Sequence, residues 1–250
     1  MLYLHRFIPI LILASLFVSA CQPIIVDNTV SDVEVFMVPD DGAIAQINDI
    51  QMYYEIHGEG EPLLLMPSGM WSTADFAGLT ELLAEEYQVV VMDARGRGRS
   101  TDSGQRLDFE VMADDAVALM DELAIENAHI VGWADSAVVG LEMAMRYPER
   151  VDKLVTYAPN YTVEGLTEEH REWLKSLHMD DMSAMFGEKY ALIAPDPGHL
   201  PLIVERVRAL YLTEPTYMLE QLSEITAPTL VFCQISYDTG WSSESVSKTG

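Results

Sequence analysis

The sequence predicts an α/β fold, a mostly parallel sheet flanked by helices with a helical insertion after residue 160. Three observations carry that prediction. Short apolar, β-branched runs such as Tyr87-Gln88-Val89-Val90-Val91-Met92 recur from residue 43 onward. Stretches with helical apolar spacing separate them, as in 109–123. Between 161 and 222 the strand signals stop while helical ones continue. Strands alternating with helices imply βαβ units, and a strand covered on both faces reads as an unbroken apolar run.

Taken in order, 43–47 and 50–56 read as two strands around an Asn48-Asp49 turn. The run 61–66 reads as a buried strand that ends in Pro67-Ser68-Gly69. Residues 74–86 have helical spacing, with Phe76, Leu79, Leu82 and Leu83 on one side. A strand follows at 87–92. The helix at 109–123 turns Met112, Ala116, Leu119 and Met120 inward. A strand at 129–133, a helix at 137–147 and a strand at 151–157 complete the next unit. Within the insertion, 173–177, 182–186 and 202–212 read as helices, and Pro195-Asp196-Pro197-Gly198 separates the last two. Its Met179, Met182, Met185, Leu200 and Leu202 either line an apolar pocket or pack against the sheet. A last strand is expected at 228–233.

Composition narrows the function. The 250 residues are 49% hydrophobic, enough for one sizeable core. Forty acidic against 14 basic residues give a net charge of −26. A phosphate backbone demands a basic footprint, so nucleic acid is not an expected partner. No His or Cys spacing suggests a metal site, and no cofactor is expected.

The N-terminus has the form of a targeting segment. Arg6 precedes an apolar stretch at 7–18, too short to span a bilayer comfortably. Val18-Ser19-Ala20-Cys21 resembles the bacterial lipoprotein cleavage motif, in which the cysteine becomes an acylated N-terminus. An ordinary secretory signal cleaved after Ala20 is the alternative. The expected organisation is a signal peptide (1–20), a lipidated tether (21–42), the core (43–160), the helical insertion (161–222), the core again (223–238) and a disordered polar tail (239–250). The expected location is the bacterial cell envelope, with attachment to the membrane through lipid on Cys21.

Three blocks suggest a family. Leu63–Met70 is a strand and loop. Asp93-Ala94-Arg95-Gly96-Arg97-Gly98-Arg99-Ser100 follows the next strand in the pattern D-x-R-G-x-G-x-S. His129-Ile130-Val131-Gly132-Trp133-Ala134-Asp135-Ser136-Ala137 is a strand, a sharp turn and a helix start. In this order the blocks resemble the lid-bearing α/β-hydrolases of the esterase, lipase and peroxidase-like type, over residues 43–235.

The resemblance implies a nucleophile elbow, an oxyanion hole, an acid and a histidine in that chain order. The nucleophile slot holds Ala134, which has no lone pair to attack with. The resemblance gives the oxyanion hole to backbone N–H groups of Gly69 and Asp135. Ser136 reads as a small helix-start residue. Asp238, one residue out of register, is the acid candidate. No histidine follows His199, and no counterpart of the family's last strand and helix is expected in the residues after 233. Of the others, His57 reads as a hairpin-tip residue, His129 starts the elbow strand, and His170 and His178 lie on the insertion. The expected protein is thus a membrane-tethered, hydrolase-like chain with impaired catalysis. One alternative is an active serine-type ester hydrolase seen as a variant or truncated form. Another is a module that binds a small ligand or a partner. A small apolar or ester-type molecule is the expected ligand; the sequence does not indicate an oligomeric state.

Overall fold

The computed structural model describes residues 42–176 and 179–232. Cys21, Cys233, His178, Asp238, the signal segment and the polar tail lie outside the described residues, as does the tether up to residue 41.

Seven strands form one sheet in the order β1-β2-β4-β3-β5-β6-β7. They are β1 (Ala43–Ile47), β2 (Ile50–His57), β3 (Glu61–Met66), β4 (Tyr87–Met92), β5 (Ala128–Trp133), β6 (Val151–Tyr157) and β7 (Thr229–Phe232). The pairs β1·β2 and β2·β4 are antiparallel, and the four pairs from β4 to β7 are parallel. Asn48 at φ +48° makes the tight β1–β2 turn, so that Ile47 faces Ile50.

Successive strand side chains point to opposite faces. Leu63, Leu65, Val89 and Val91 therefore pack with Phe76 and Leu83 on one face, beside α1 (Ala77–Leu83). Leu64, Met66, Val90 and Ile130 face the larger core on the other side. There α2 (Phe109–Glu122) contributes Met112, Ala116, Leu119 and Met120, and α3 (Asp135–Arg146) contributes Val138 and Met143. Burying each such Leu, Val or Met stabilises the fold by about 1.5–3 kcal/mol. Asp108 starts α2 by accepting the Val111 N–H at 2.8 Å.

Two element boundaries beside the sheet differ from expectation in ways that bear on the core and the turn after β5. The helix expected at 74–86 is a 3₁₀ turn (Thr73–Phe76) followed by the short α1. The tighter turn shifts the phase of the face, and Leu82 is 40% exposed instead of inward. The helix expected from 137 begins at Asp135, because the sharp turn is completed at Ala134.

Between β6 and β7 lie α4 (Glu168–Ser176), α5 (Met179–Met182), α6 (Glu188–Ile193), α7 (Leu200–Thr213) and α8 (Leu219–Ser223). A π turn at Ser183–Gly187 joins α5 to α6. Helix α7 buries Leu200, Ile203, Val204, Val207 and Leu210, a stripe at helical spacing. Polar contacts fasten α6, α7 and the turn between them to the loop after β4. His199 Nε2 lies 2.8 Å from Asp102 Oδ2, which also accepts from Arg206, and the Tyr190 hydroxyl donates to the Gly96 carbonyl at 3.2 Å.

Candidate functional site

The site begins with a backbone constraint. Strand β5 must turn into α3 within one residue, and that residue is Ala134, at φ +50° and ψ −112°. Its N–H donates to the Tyr157 carbonyl at 2.8 Å, and its carbonyl accepts from the Ala137 N–H at 3.1 Å. Helix and strand approach so closely that a Cβ on Gly132 would lie 2.3 Å from the Ser136 carbonyl oxygen. The Ser136 side chain points away from the turn: its hydroxyl donates to the Pro67 carbonyl and ties α3 to the loop after β3.

Asp135 contributes more than its backbone. Its Oδ1 accepts from the Gly69 N–H at 2.7 Å and from the Ser136 N–H at 2.9 Å. Its Oδ2 lies 3.4 Å from Arg97 Nη2, and both side chains are buried. The Tyr211 hydroxyl lies beside the same carboxylate. Burial and the Asp135 charge hold this phenol well above its ordinary range. Arg97 Nη1 also lies 3.1 Å from Met112 Sδ, while its buried Nε has no hydrogen-bond partner. Sequence reading gave Asp135 a role through its N–H only and passed over Arg97 and Tyr211. The available signal was an arginine inside a loop otherwise built of glycines and turn residues, next to an acid in the elbow.

Ala134 and Asp135 line a cavity of about 410 Å³, together with Trp133, Val138, Trp173 and Tyr211. An apolar branch of about 140 Å³ adjoins it, lined by Met70, Met182, Met185, Phe186 and Val207. Of the insertion residues named from sequence, Met182 and Met185 face this branch, Leu200 is in the core, and Leu202 is 48% exposed. A polar cleft of about 500 Å³ between α2, α3 and the chain around Tyr217 does not include Ala134.

The histidines separate clearly. His57 pairs with Glu55 at 2.9 Å, and His199 is held by Asp102. His129, at the far end of β5, lies 3.1 Å from Glu61 Oε2 and 3.2 Å from Lys153 Nζ. Among the described residues, His170 is the imidazole in the cavity wall; it is exposed, with its ring centroid 5.3 Å from that of Trp173. No group of three or more His, Cys, Asp or Glu side chains among the described residues is placed to hold a metal ion. No helix among them is long and apolar enough to cross a membrane.

Comparison with known proteins agrees with this architecture. The "Putative carbamate hydrolase RutD" of Azorhizobium caulinodans is 43% identical over 108 residues, which are 42% of this chain and 40% of that protein. The match thus spans two-fifths of that relative's length. The human "Serine hydrolase BPHL" is 29% identical over 206 residues, 74% of this chain and 71% of its own. The crystal structure of a hydrolase from Pseudomonas aeruginosa PA01 superposes with a TM-score of 0.57 at 22% identity, over 78% of this chain and 81% of that one, a likeness of fold. The model of the alpha/beta hydrolase fold family matches residues 56–183, half of the chain, and the chain belongs to that family.

Proposed function

We propose that this chain is a hydrolase-family protein that binds a small ester-type, carbamate-type or apolar ligand without serine-type turnover, tethered to the bacterial cell envelope through lipid on Cys21. One observation carries the loss of turnover: an intact, sharply turned elbow presents Ala134. Covalent catalysis needs a nucleophile and a base within hydrogen-bond reach of it. A methyl group supplies neither a lone pair nor a proton to remove. The cavity supports ligand binding, because its wall is mostly apolar and aromatic with a few polar groups. The carbamate class rests on a relative's name, the ester class on the resemblance of the three sequence blocks, and the tether on the sequence around Cys21.

The test is hydrolysis of 4-nitrophenyl butyrate by the chain and by Ala134→Ser. Neither is expected to exceed the buffer rate. In Ala134→Ser the Gly69 N–H still donates to the Asp135 carboxylate, so a developing oxyanion would meet a negative charge where it needs a donor. Turnover by the unaltered chain would overturn the proposal. Robust turnover by Ala134→Ser alone would instead favour a once-active ester hydrolase that has lost one atom.

A further inference from the structure

The donors around Asp135 form a set. Gly69 lies in the loop after β3, Arg97 in the loop after β4, Ser136 at the start of α3 and Tyr211 near the end of α7. The first three direct a hydrogen-bond donor at one carboxylate, and the Tyr211 hydroxyl lies beside it. Two backbone N–H groups, a guanidinium, a phenol and the N-terminal end of a 12-residue helix together are what a free carboxylate or phosphate would require. Here a side chain of the chain itself takes that place.

We propose that Asp135 is a built-in carboxylate that fills an anion site at the wall of the elbow cavity and thereby excludes anionic ligands from the cavity. The Arg97 guanidinium is itself buried, and its Nε has no hydrogen-bond partner, so its pairing with Asp135 leaves it incompletely satisfied. Asp135 also lines the cavity, so trimming its side chain opens these donors to whatever enters. With the carboxylate in place, the donors directed at it are engaged, and an incoming anion faces a like charge in a low-dielectric wall. Asp135 acts in this as a specificity-determining residue. The selectivity rests on the reading of the cavity as a ligand site; the anion site does not.

The two parts are tested separately. Thermal unfolding of the full chain, Asp135→Gly and Asp135→Ser is followed against sodium formate, with sodium chloride at equal ionic strength as control. Serine keeps a Cβ and a hydroxyl at the first residue of α3, so Asp135→Ser keeps the test alive should Asp135→Gly not fold. Each folded variant is expected to melt below the parent and to regain about 5 °C at saturating formate beyond the chloride control. The parent is expected to gain nothing, and adding Arg97→Met to Asp135→Ser should abolish the response. No formate-specific gain in a folded variant, or an equal gain in the parent, overturns the anion site.

Selectivity is read from tryptophan fluorescence, since Trp133 and Trp173 line the cavity. The parent should respond to hexan-1-ol and not to hexanoate, while Asp135→Ser should bind hexanoate at least about tenfold more tightly than the parent does. Equal binding of acid and alcohol by the parent overturns the selectivity. Formate rescue with no response to either six-carbon probe overturns the ligand-cavity reading and leaves the anion site standing.

Discussion

Two turns at the same edge of the sheet use the same device and arrive at different results. After β4, the Asp93 carboxylate accepts the Thr73 N–H at 2.7 Å and the Arg99 N–H at 2.8 Å. After β5, the Asp135 carboxylate accepts the Gly69 and Ser136 N–H groups at 2.7 and 2.9 Å. Each carboxylate bridges two backbone amides from different segments. The surroundings differ. Asp93 is fully buried, Ser100 donates to its carbonyl, and a Cβ on Gly98 would lie 2.1 Å from its Oδ2. Asp135 has Arg97 as an added partner and Tyr211 beside it, and forms part of a cavity wall. A bridging carboxylate is thus a structural rivet where the chain closes around it, and a candidate for function where one side opens to a cavity.

The largest expected effect tests the closed turn. Burial pushes Asp93 up to about 7, against the opposing pull of its bonds from Arg99 and Thr73. A carboxyl raised in the folded state holds its proton where the unfolded chain has lost it. The folded state therefore binds more protons between pH 4 and pH 7, and its stability from this group falls as pH rises through that window. A shift of roughly three pKa units corresponds to a ceiling of about 4 kcal/mol. Urea unfolding of the parent and Asp93→Asn at half-unit steps from pH 4 to 7 isolates the contribution, because all other groups are shared. The parent should lose stability relative to the variant as pH rises. Parallel curves would show that Asp93 has an ordinary carboxyl and that the two turns are electrostatically alike.

The next effect tests the open turn. Gly132 lets β5 and α3 approach, and its nearest neighbours are backbone atoms of Ser136 and Ala137, which no rotamer change can move. Gly132→Ala should cost about 3 kcal/mol, read from the urea midpoint at constant slope. A cost under about 1 kcal/mol would mean that α3 shifts freely and that the elbow is not a rigid platform.

The sheet was legible because each central strand is buried on both faces, which leaves unbroken apolar runs such as Leu63-Leu64-Leu65-Met66. The elbow was legible because close strand–helix approach demands a glycine at position 132. Helix α4 begins at Glu168, before the expected 173, because its first turn carries acids and no apolar period. The convergence of Arg97, Asp135 and Tyr211 was not legible. Each residue has an unremarkable local context, and loop paths together with the docking of α7 bring them together. Only burial reveals that Arg97 is not a solvated surface charge.

The smallest effect concerns Ala134 itself. Its φ of +50° with ψ of −112° is a conformation that a residue with a Cβ adopts only under constraint from its neighbours, at about 1–3 kcal/mol. In a working elbow that strain aims a nucleophile; here it aims a methyl group. Glycine has no Cβ to strain, but it gives the unfolded chain more freedom, worth about 0.5–1 kcal/mol against the fold. Ala134→Gly should therefore stabilise the chain by about 1 kcal/mol. Ala137→Gly, three residues on at an ordinary helical position, should destabilise by about as much. Opposite signs in the two urea midpoints would establish that the turn is strained with alanine at its apex. A loss at both positions would mean that the turn has relaxed around alanine, and the elbow would then differ from the Asp93 turn only in the cavity it faces.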